Sequence, residues 1–111
     1  MQECVFCKII RGDIASKKIA ETDDILVIED IAPKAPVHYL IIPKKHIQDI
    51  QAMENVDFFY GSKMLAMAQQ LSKTIPAAHD FKLQVNSGKM AGQIVMHLHV
   101  HFTAGKLSGA L

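Results

Sequence analysis

Three histidines at alternating positions, His97, His99 and His101, give this chain its clearest capacity for chemistry. Side chains two residues apart share one face of a β-strand, so the spacing predicts a row of three imidazoles on a strand over residues 97–102. The apolar residues between them would anchor this strand in the core. Imidazole titrates near neutral pH and is a common metal ligand, so the row favours catalysis or metal binding over a strand whose polar side chains merely face water.

A Cys-x-x-Cys pair, Cys4 and Cys7, lies near the beginning of the sequence. Such a pair offers two zinc ligands, and a tetrahedral structural site needs two more. His46 and one of the three alternating histidines could complete that site. Two other interpretations stay open. The cysteines could be free thiols, or they could form a thioredoxin-like redox motif, although that motif normally follows a strand and only three residues precede Cys4.

Composition excludes several classes of function. The 111 residues fit one domain, expected to span 1–111. Twelve basic and eleven acidic residues nearly cancel, so the field needed for nucleic-acid binding is not expected. No apolar run approaches the roughly 20 residues that span a bilayer, and the first residues lack the features of a signal peptide. We therefore expect a cytoplasmic protein without membrane or nucleic-acid partners.

Hydrophobic periodicity predicts five strands and two helices. The strands are expected at 17–21, 25–28, 37–42, 81–85 and 97–102, and the helices at 4–11 and 55–75. Gly12 is placed to end the first helix, Asn55 is a candidate N-cap for the second, and Pro76 follows its end. The core-facing residues expected on the long helix are Met64, Leu65, Met67, Ala68, Leu71 and Ile75. This set predicts an α+β domain built on a five-stranded antiparallel sheet, with one long and one short helix.

Two loops are expected to carry function. Residues 31–36 contain two prolines, which excludes a central strand and makes a loop a better interpretation than a PxxP ligand. Asp30 lies where the strand ends and this loop begins. Residues 86–93 are small and polar and could present backbone N–H groups to a phosphate, although a plain hairpin connection would look similar. His79 is expected on a surface loop.

Several motifs in order resemble one family. Residues 92–101, Gly-Gln-Ile-Val-Met-His-Leu-His-Val-His, resemble the signature of the histidine triad (HIT) superfamily. Residues 6–12, 30–33 and 36–46 resemble the zinc-binding bacterial-like type of histidine triad nucleotide-binding proteins. The likeness covers nearly the whole chain. It implies a homodimer whose two sheets join into one ten-stranded sheet.

The resemblance also implies an activity, the hydrolysis of purine nucleoside phosphoramidates at the α-phosphorus. His99 would be the nucleophile and form a nucleotidyl-histidine intermediate. His101 would contact the phosphate and help to protonate the leaving amine, and His38 would orient the triad. Imidazole attack would divide the hydrolysis into two easier displacements.

Binding residues are implied in the same way. Asp30 would bind the ribose hydroxyls, because a carboxylate can accept two hydrogen bonds, and Ile31 would lie against the base. A turn-forming role for Asp30 is the simpler alternative. The residues implied to hold the phosphate are Asn86, Gly92, Gln93 and Ile94, together with His99 and His101. The implied ligands of one structural zinc per chain are Cys4, Cys7, His46 and His97, and no catalytic metal is expected.

The sequence departs from the family pattern at three positions. Ile94 stands where relatives usually have Ser or Thr, so a hydroxyl donor to the phosphate is missing. Thr103 and Ala104 replace a usual apolar residue and glycine, and little chain follows the triad to shape a leaving-group pocket. Three alternatives to the phosphoramidase stay open. They are a dinucleoside polyphosphate hydrolase, a nucleotide-binding adaptor with weak activity, and a metal-storage or redox protein.

Overall fold

The computed structural model describes residues 4–105. Its helices are α1 (Val5–Arg11) and α2 (Phe58–Thr74), and its strands are β1 (Lys18–Glu21), β2 (Ile25–Glu29), β3 (Val37–Pro43), β4 (Phe81–Gln84) and β5 (Val100–Ala104). Short 3₁₀ turns lie at Ile50–Ala52, Asn55–Asp57 and Lys89–Ala91. All the strand pairs are antiparallel, in the order β1-β2-β3-β5-β4. This confirms the predicted α+β fold with one long and one short helix.

Each face of the sheet packs against a different helix. The α2 side holds the larger core cluster, which includes Ile25, Val27, Ile41, Met64, Met67, Leu71, Leu98, Val100 and Phe102. The opposite side holds a smaller cluster, formed by Phe6, Ile9, Leu26, Ile28, Leu40 and Ile42. Strand β2 is therefore buried on both faces, which explains its unbroken run of aliphatic residues. The α1 helix leaves much of the second face uncovered, and the candidate site lies there.

Local hydrogen bonds fix both ends of α1. The Sγ atom of Cys4 accepts from the backbone N–H of Cys7 at 3.1 Å, which caps the helix start. Gly12 adopts a left-handed conformation with φ of 86°, and its N–H donates to Ile9 O at 3.0 Å. A side chain is strained at such a φ, which is why glycine ends this helix as predicted.

The start of α2 corrects one prediction. Asn55 does not cap the helix, because residues 55–57 form a 3₁₀ turn and the α-helix begins at Phe58. The organising group is the buried carboxylate of Asp57, which accepts from the N–H of Glu54 at 2.9 Å and from Lys45 Nζ at 2.6 Å. The expected core position of Leu65 was also wrong, since its side chain is 64% exposed. The apolar stripe of α2 that meets the sheet is narrower than its hydrophobic sequence pattern.

The histidine strand corrects a second prediction. Strand β5 begins at Val100, so only His101 of the three alternating histidines lies within a strand. The preceding segment makes other hydrogen bonds, of which one runs from the N–H of Leu98 to Ile47 O at 2.6 Å. Side chains nevertheless continue to point alternately to the two sides of the sheet through this irregular segment. Leu98, Val100 and Phe102 all join the core on the α2 side. No helix within residues 4–105 combines the length and apolar character needed to cross a membrane.

Candidate functional site

A pocket of about 800 Å³ lies on the side of the sheet that α1 partly covers. His38 on β3 and His101 on β5 line it because their positions alternate with core residues that face α2. His99 lines it from the irregular segment just before β5. The apolar part of the wall is formed by Val5, Phe6, Ile9, Ile14, Ile28, Ile31 and Leu40. The arrangement combines an apolar surface with a cluster of imidazoles, as an enzyme pocket commonly does.

The geometry around His99 leaves one ring nitrogen free to attack. Its Nδ1 lies 2.7 Å from the backbone oxygen of His97. A carbonyl oxygen can only accept, so Nδ1 carries the proton and Nε2 holds a lone pair. Burial lowers the pKa of His99 below its usual value, which keeps the ring neutral near pH 7. The rings of His99 and Phe6 also pack nearly perpendicular to each other, with their centroids 5.1 Å apart.

A second chain of hydrogen bonds fixes His38 and His101. The N–H of Lys34 donates to His38 Nδ1 at 3.0 Å, so His38 carries its proton on Nε2 when neutral. That Nε2–H lies 3.0 Å from His101 Nδ1 and 3.3 Å from Asp30 Oδ2. His101 Nδ1 is therefore an acceptor, and the proton of neutral His101 is on Nε2. Burial, and next the nearby His99, lower the pKa of His101 to about 4.

Two contacts fix the orientation of the Asp30 carboxylate. One oxygen accepts from the backbone N–H of Ala32 at 2.8 Å, which is the turn-forming role considered from the sequence. The other oxygen lies 3.3 Å from His38 Nε2. The side chain is 17% exposed and lines the pocket. Both carboxylate oxygens keep lone pairs that hydroxyl groups could use, so the turn and binding roles are compatible.

Gln93 has a different position from the one expected. Its side chain is buried, its Oε1 accepts from the N–H of Gly88 at 2.8 Å, and its Nε2 donates to Gln48 O and Val95 O at 2.7 and 3.0 Å. These bonds use both protons of the amide nitrogen. The expected contact of the Gln93 side chain with a phosphate is therefore not what this geometry provides. Gln93 instead fixes the shape of the loop over residues 86–93.

The loop leaves free donors beside His99. The N–H groups of Gly92 and Gln93 donate to Lys89 O and Gly88 O, so neither points freely into the pocket. Within residues 4–105, the N–H groups of Ile94 and Val95 have no hydrogen-bond partner. Both residues line the pocket. The backbone donors available to an anion are thus those just after Gln93.

The remaining predicted binding residues lie at the pocket wall. Asn86 lines it while its Nδ2 donates to Ala91 O at 2.8 Å. Gly92 lines it with φ of 90°, a conformation that disfavours a side chain. Ile31 and Ile94 also line it, and their side chains are 99% and 91% exposed. Two large apolar side chains so exposed at one pocket are available to contact a ligand.

The four predicted metal ligands converge outside this pocket. The Sγ atoms of Cys4 and Cys7 and the Nδ1 atoms of His46 and His97 are separated pairwise by 3.0 to 3.6 Å. Six similar distances among four atoms describe a tetrahedron. Zinc–sulfur bonds of about 2.3 Å and zinc–nitrogen bonds of about 2.0–2.1 Å would give edges of similar length. The donor set and its geometry fit a tetrahedral metal ion.

A further contact fixes the ring of His97 in the tautomer that a metal ligand needs. Its side chain is fully buried, and Nε2 lies 2.7 Å from the backbone oxygen of Pro43. That carbonyl accepts the proton of Nε2, so Nδ1 offers its lone pair to the cluster. Burial lowers the pKa of His97 to about 4, which keeps the ring neutral as a ligand must be.

Asp30, His38 and His101 also lie close enough together to suggest a metal site. The bond from Lys34 N–H argues against this use, because it places the proton of His38 on the nitrogen that faces the other two groups. A protonated nitrogen cannot coordinate a metal. We therefore interpret this group as a hydrogen-bonded chain.

Some site residues were not found from the sequence. Phe6 packs against the rings of His97 and His99 and so links the metal cluster to the pocket. Lys34, Lys82 and Gln84 also line the pocket. The alternation of β4 does place Lys82 and Gln84 on one strand face, but the sequence alone does not show that this face meets the histidines.

Comparisons with known proteins identify relatives of this chain. A family model described as "Scavenger mRNA decapping enzyme C-term binding" matches residues 3–111. An uncharacterized HIT-like protein of Chlamydia muridarum is 37% identical over 107 residues, which cover 96% of this chain and 85% of that protein. An uncharacterized HIT-like protein of Synechocystis is 34% identical over 105 residues, which cover 95% and 92%.

Solved structures show the same relationship. A histidine triad protein from Clostridium difficile has a TM-score of 0.92 at 33% identity. The match covers 100% of this chain and 99% of that protein. A HIT family hydrolase from Legionella pneumophila has a TM-score of 0.90 at 35% identity, with 96% of each chain covered. A zinc-bound histidine triad family protein from Mycobacterium smegmatis has a TM-score of 0.81 at 32% identity, with 93% of this chain and 75% of that one covered. The chain belongs to the histidine triad (HIT) superfamily.

The pKa of His101 predicts a pH dependence of stability. An unfolded histidine takes up a proton below about pH 6.5, whereas folded His101 stays neutral down to about pH 4. The contribution of neutral His101 to the free energy of unfolding is therefore present above about pH 6.5, and it is lost as the pH falls from there to about 4. Replacing His101 with Asn removes this titration. Between about pH 7 and 4.5, we expect urea unfolding to show a greater loss in the wild type than in His101→Asn, by about 1–3 kcal/mol at 1.36 kcal/mol per pKa unit.

The exposed His79, whose side chain is 94% accessible, supplies the control. His79→Asn removes an exposed histidine and leaves the buried ones in place, so its unfolding free energy should depend on pH as that of the wild type does. Equal pH dependence of the wild type and His101→Asn would contradict the burial of a neutral His101.

Proposed function

We propose that this protein hydrolyses purine nucleoside phosphoramidates through a covalent intermediate on His99. The observation that carries the proposal is the 2.7 Å contact between His99 Nδ1 and His97 O, which leaves Nε2 of this pocket-lining ring unprotonated. A nucleophile in that state needs no separate base. Solved relatives described as HIT family hydrolases support hydrolysis as the reaction class.

The nucleoside would occupy the apolar half of the pocket. Asp30 keeps lone pairs for the ribose hydroxyls while Ala32 and His38 hold its carboxylate in place. The fully exposed side chain of Ile31 lies next to it in sequence and offers a flat apolar contact for the base. The free N–H groups of Ile94 and Val95 would receive the phosphate oxygens beside His99.

The reaction would proceed in two displacements. In the first, His99 Nε2 forms a bond to the α-phosphorus as the P–N bond breaks, and the leaving nitrogen keeps the electron pair and gains one proton from solvent. In the second, water attacks phosphorus, the P–Nε2 bond breaks with its electron pair returning to His99, and one proton returns to solvent. Dividing the reaction in this way lowers each barrier.

His101 would act as a neutral hydrogen-bond donor. His38 occupies its Nδ1, so neutral His101 carries its proton on Nε2 and would offer that N–H to the leaving group. This differs from the proton transfer expected from the sequence, because donating that proton outright would leave an anionic ring. A donor fixed in this direction stabilises charge as it develops on the leaving atom.

Removing the nucleophile tests the reaction. We expect His99→Ala to lower release of amine from an adenosine 5′-phosphoramidate by at least about a thousandfold, because the covalent route is lost. Steady-state kinetics with purified protein measure this, and His79→Ala, which changes an exposed histidine, is the control. Circular dichroism checks that both variants fold. Turnover of His99→Ala at the wild-type rate would rule out His99 as the nucleophile.

A nucleotide-binding module with weak activity is the second candidate. It is favoured by Ile94, whose apolar side chain lies at the pocket where a hydroxyl donor to the phosphate was expected. Loss of such a bond to a charged group is worth about 1.5–3 kcal/mol. Tight nucleotide binding without turnover in the wild type would support this candidate over the hydrolase.

We also propose that the tetrahedral cluster holds one structural zinc ion per chain. The support comes from the four converging donor atoms and from the zinc-bound relative. When bound, zinc would join α1 to the segment that carries the triad. Thiolate ligands of zinc persist in a reducing compartment, so we also propose a cytoplasmic location.

Metal analysis tests the zinc proposal. We expect one zinc per chain by mass spectrometry in the wild type and about none in Cys7→Ser, together with a lower Tm for the variant because a cross-link between distant segments is lost. Ser16→Ala, at a half-buried position outside the cluster, should keep its zinc. A wild type that takes up no zinc on reconstitution would contradict the proposal, and several ions per chain would indicate storage instead.

We further propose that two chains form a homodimer through α2 and the free edge of β4. Strand β4 is an edge of the sheet, and α2 exposes Phe58 and Leu65, which are 58% and 64% accessible and seven residues apart on one helix face. Large apolar groups exposed in this way commonly mark an interface.

A charge on that helix face should break the dimer. We expect Leu65→Lys to shift the protein from dimer to monomer in sedimentation equilibrium, because burying an ammonium group in an apolar interface is unfavourable. Gln70→Lys adds the same charge on the other side of the exposed face, near Lys63, and should remain dimeric. A wild type that sediments as a monomer would contradict the proposal.

A further inference from the structure

The two halves of the pocket differ in charge. The wall near α1 is formed largely by aliphatic side chains and Phe6, whereas the wall along β4 and β5 carries Lys82, Gln84 and Thr103. The sheet register explains the second set. His101 lies between Leu40 and Gln84, and one pair further along the strands Thr103 lies between His38 and Lys82. Lys82 therefore shares the face of the catalytic histidines, two strands away from His38.

Lys82 is not neutralised by its surroundings. Within residues 4–105 its ammonium group has no carboxylate partner and no hydrogen bond, in contrast to Lys17, Lys44 and Lys45, which all pair with acidic side chains. The acidic side chains at the pocket contact other groups, since Asp30 lies against His38 and Glu29 pairs with Lys17. Among the described residues, the β4 wall therefore presents a positive charge that no acidic side chain pairs with.

A second lysine adds to this charge. Lys34 lines the pocket, and its ammonium group has no acidic partner in the described part of the chain. Its charge contributes to lowering the pKa values of His38 and His101, so it acts across the same region. The pocket is therefore lined by two lysines, of which Lys34 acts on the charge of His38 and His101.

We propose that Lys82, supported by Lys34, forms a subsite that selects leaving groups carrying a carboxylate, such as amino acids linked to the α-phosphorus through nitrogen. This inference rests on the proposed function. With the ribose at Asp30 and the base on the apolar wall, the polar β4 wall is what remains for the leaving group. An anion there would meet Lys82, whereas a neutral or cationic amine would leave that charge unpaired.

A matched pair of substrates tests the subsite. Adenosine 5′-phosphoramidates of aspartate and of aspartic diamide share the same P–N bond and carbon skeleton, and only the first has carboxylates. We expect the wild type to prefer the aspartate compound about three- to tenfold in kcat/KM at low ionic strength, with the preference declining as salt is added. In Lys82→Gln the ratio should fall towards one, and Lys82→Arg should restore most of it. Lys73→Gln, on α2 away from the pocket, should keep the wild-type ratio.

Binding separates this inference from the proposed function. In His99→Ala, calorimetry measures the affinity for both compounds without turnover, and the aspartate compound should again bind more tightly unless Lys82 is also replaced. If the wild type did not hydrolyse either compound but the binding preference remained, the proposed hydrolase function would be contradicted and the subsite would be supported. An equal effect of Lys82→Gln on both compounds, or no preference in the wild type, would overturn the subsite. A preference for diadenosine triphosphate alone would show that the cations serve phosphate rather than carboxylate, which also overturns it.

Discussion

The site depends on how residue 97 is held. The Nδ1 atom of His97 faces the two cysteines and His46, its Nε2 bonds to Pro43 O, and its own carbonyl oxygen accepts from His99 Nδ1. One buried residue thus connects the metal cluster, strand β3 and the candidate nucleophile. A shift of His97 would alter both the direction and the tautomer of His99. The cluster of Cys4, Cys7, His46 and His97 would therefore support the proposed chemistry by fixing His97, without lining the pocket.

The pocket exists because the two helices cover the sheet unequally. Helix α2 spans 17 residues and closes one face, while α1 has 7 residues and covers only part of the other. Strands β2 and β3 are therefore buried on both sides near α1, whereas β5 and β4 remain open beside it. This division places an apolar surface next to a polar one within a single cavity. A nucleotide has the same division between its base and its phosphate.

The periodic features could be predicted from the sequence, and the irregular ones could not. Alternation correctly placed Leu98, Val100 and Phe102 in the core, and Gly12 marked the end of α1 because glycine takes its φ without strain. The start of β5 could not be read in this way, since the segment from His97 to His99 bonds to carbonyls about fifty residues away in sequence. The same reason applies to Gln93. Its amide looked suited to phosphate, but it binds Gln48 O across the loop.

The two cysteines and His97 come from opposite parts of the chain, since Cys4 and His97 are 93 positions apart. A metal ion held by them would close almost the entire described chain into one ring. In the chain-entropy treatment of cross-links, closing a loop of about 100 residues removes on the order of 4 to 5 kcal/mol of unfolded-state entropy. The ring can close only after β1 to β4 and α2 have been synthesised, because His97 follows all of them in the chain. A metal ion bound by all four ligands would therefore indicate that the chain has been completed as far as His97.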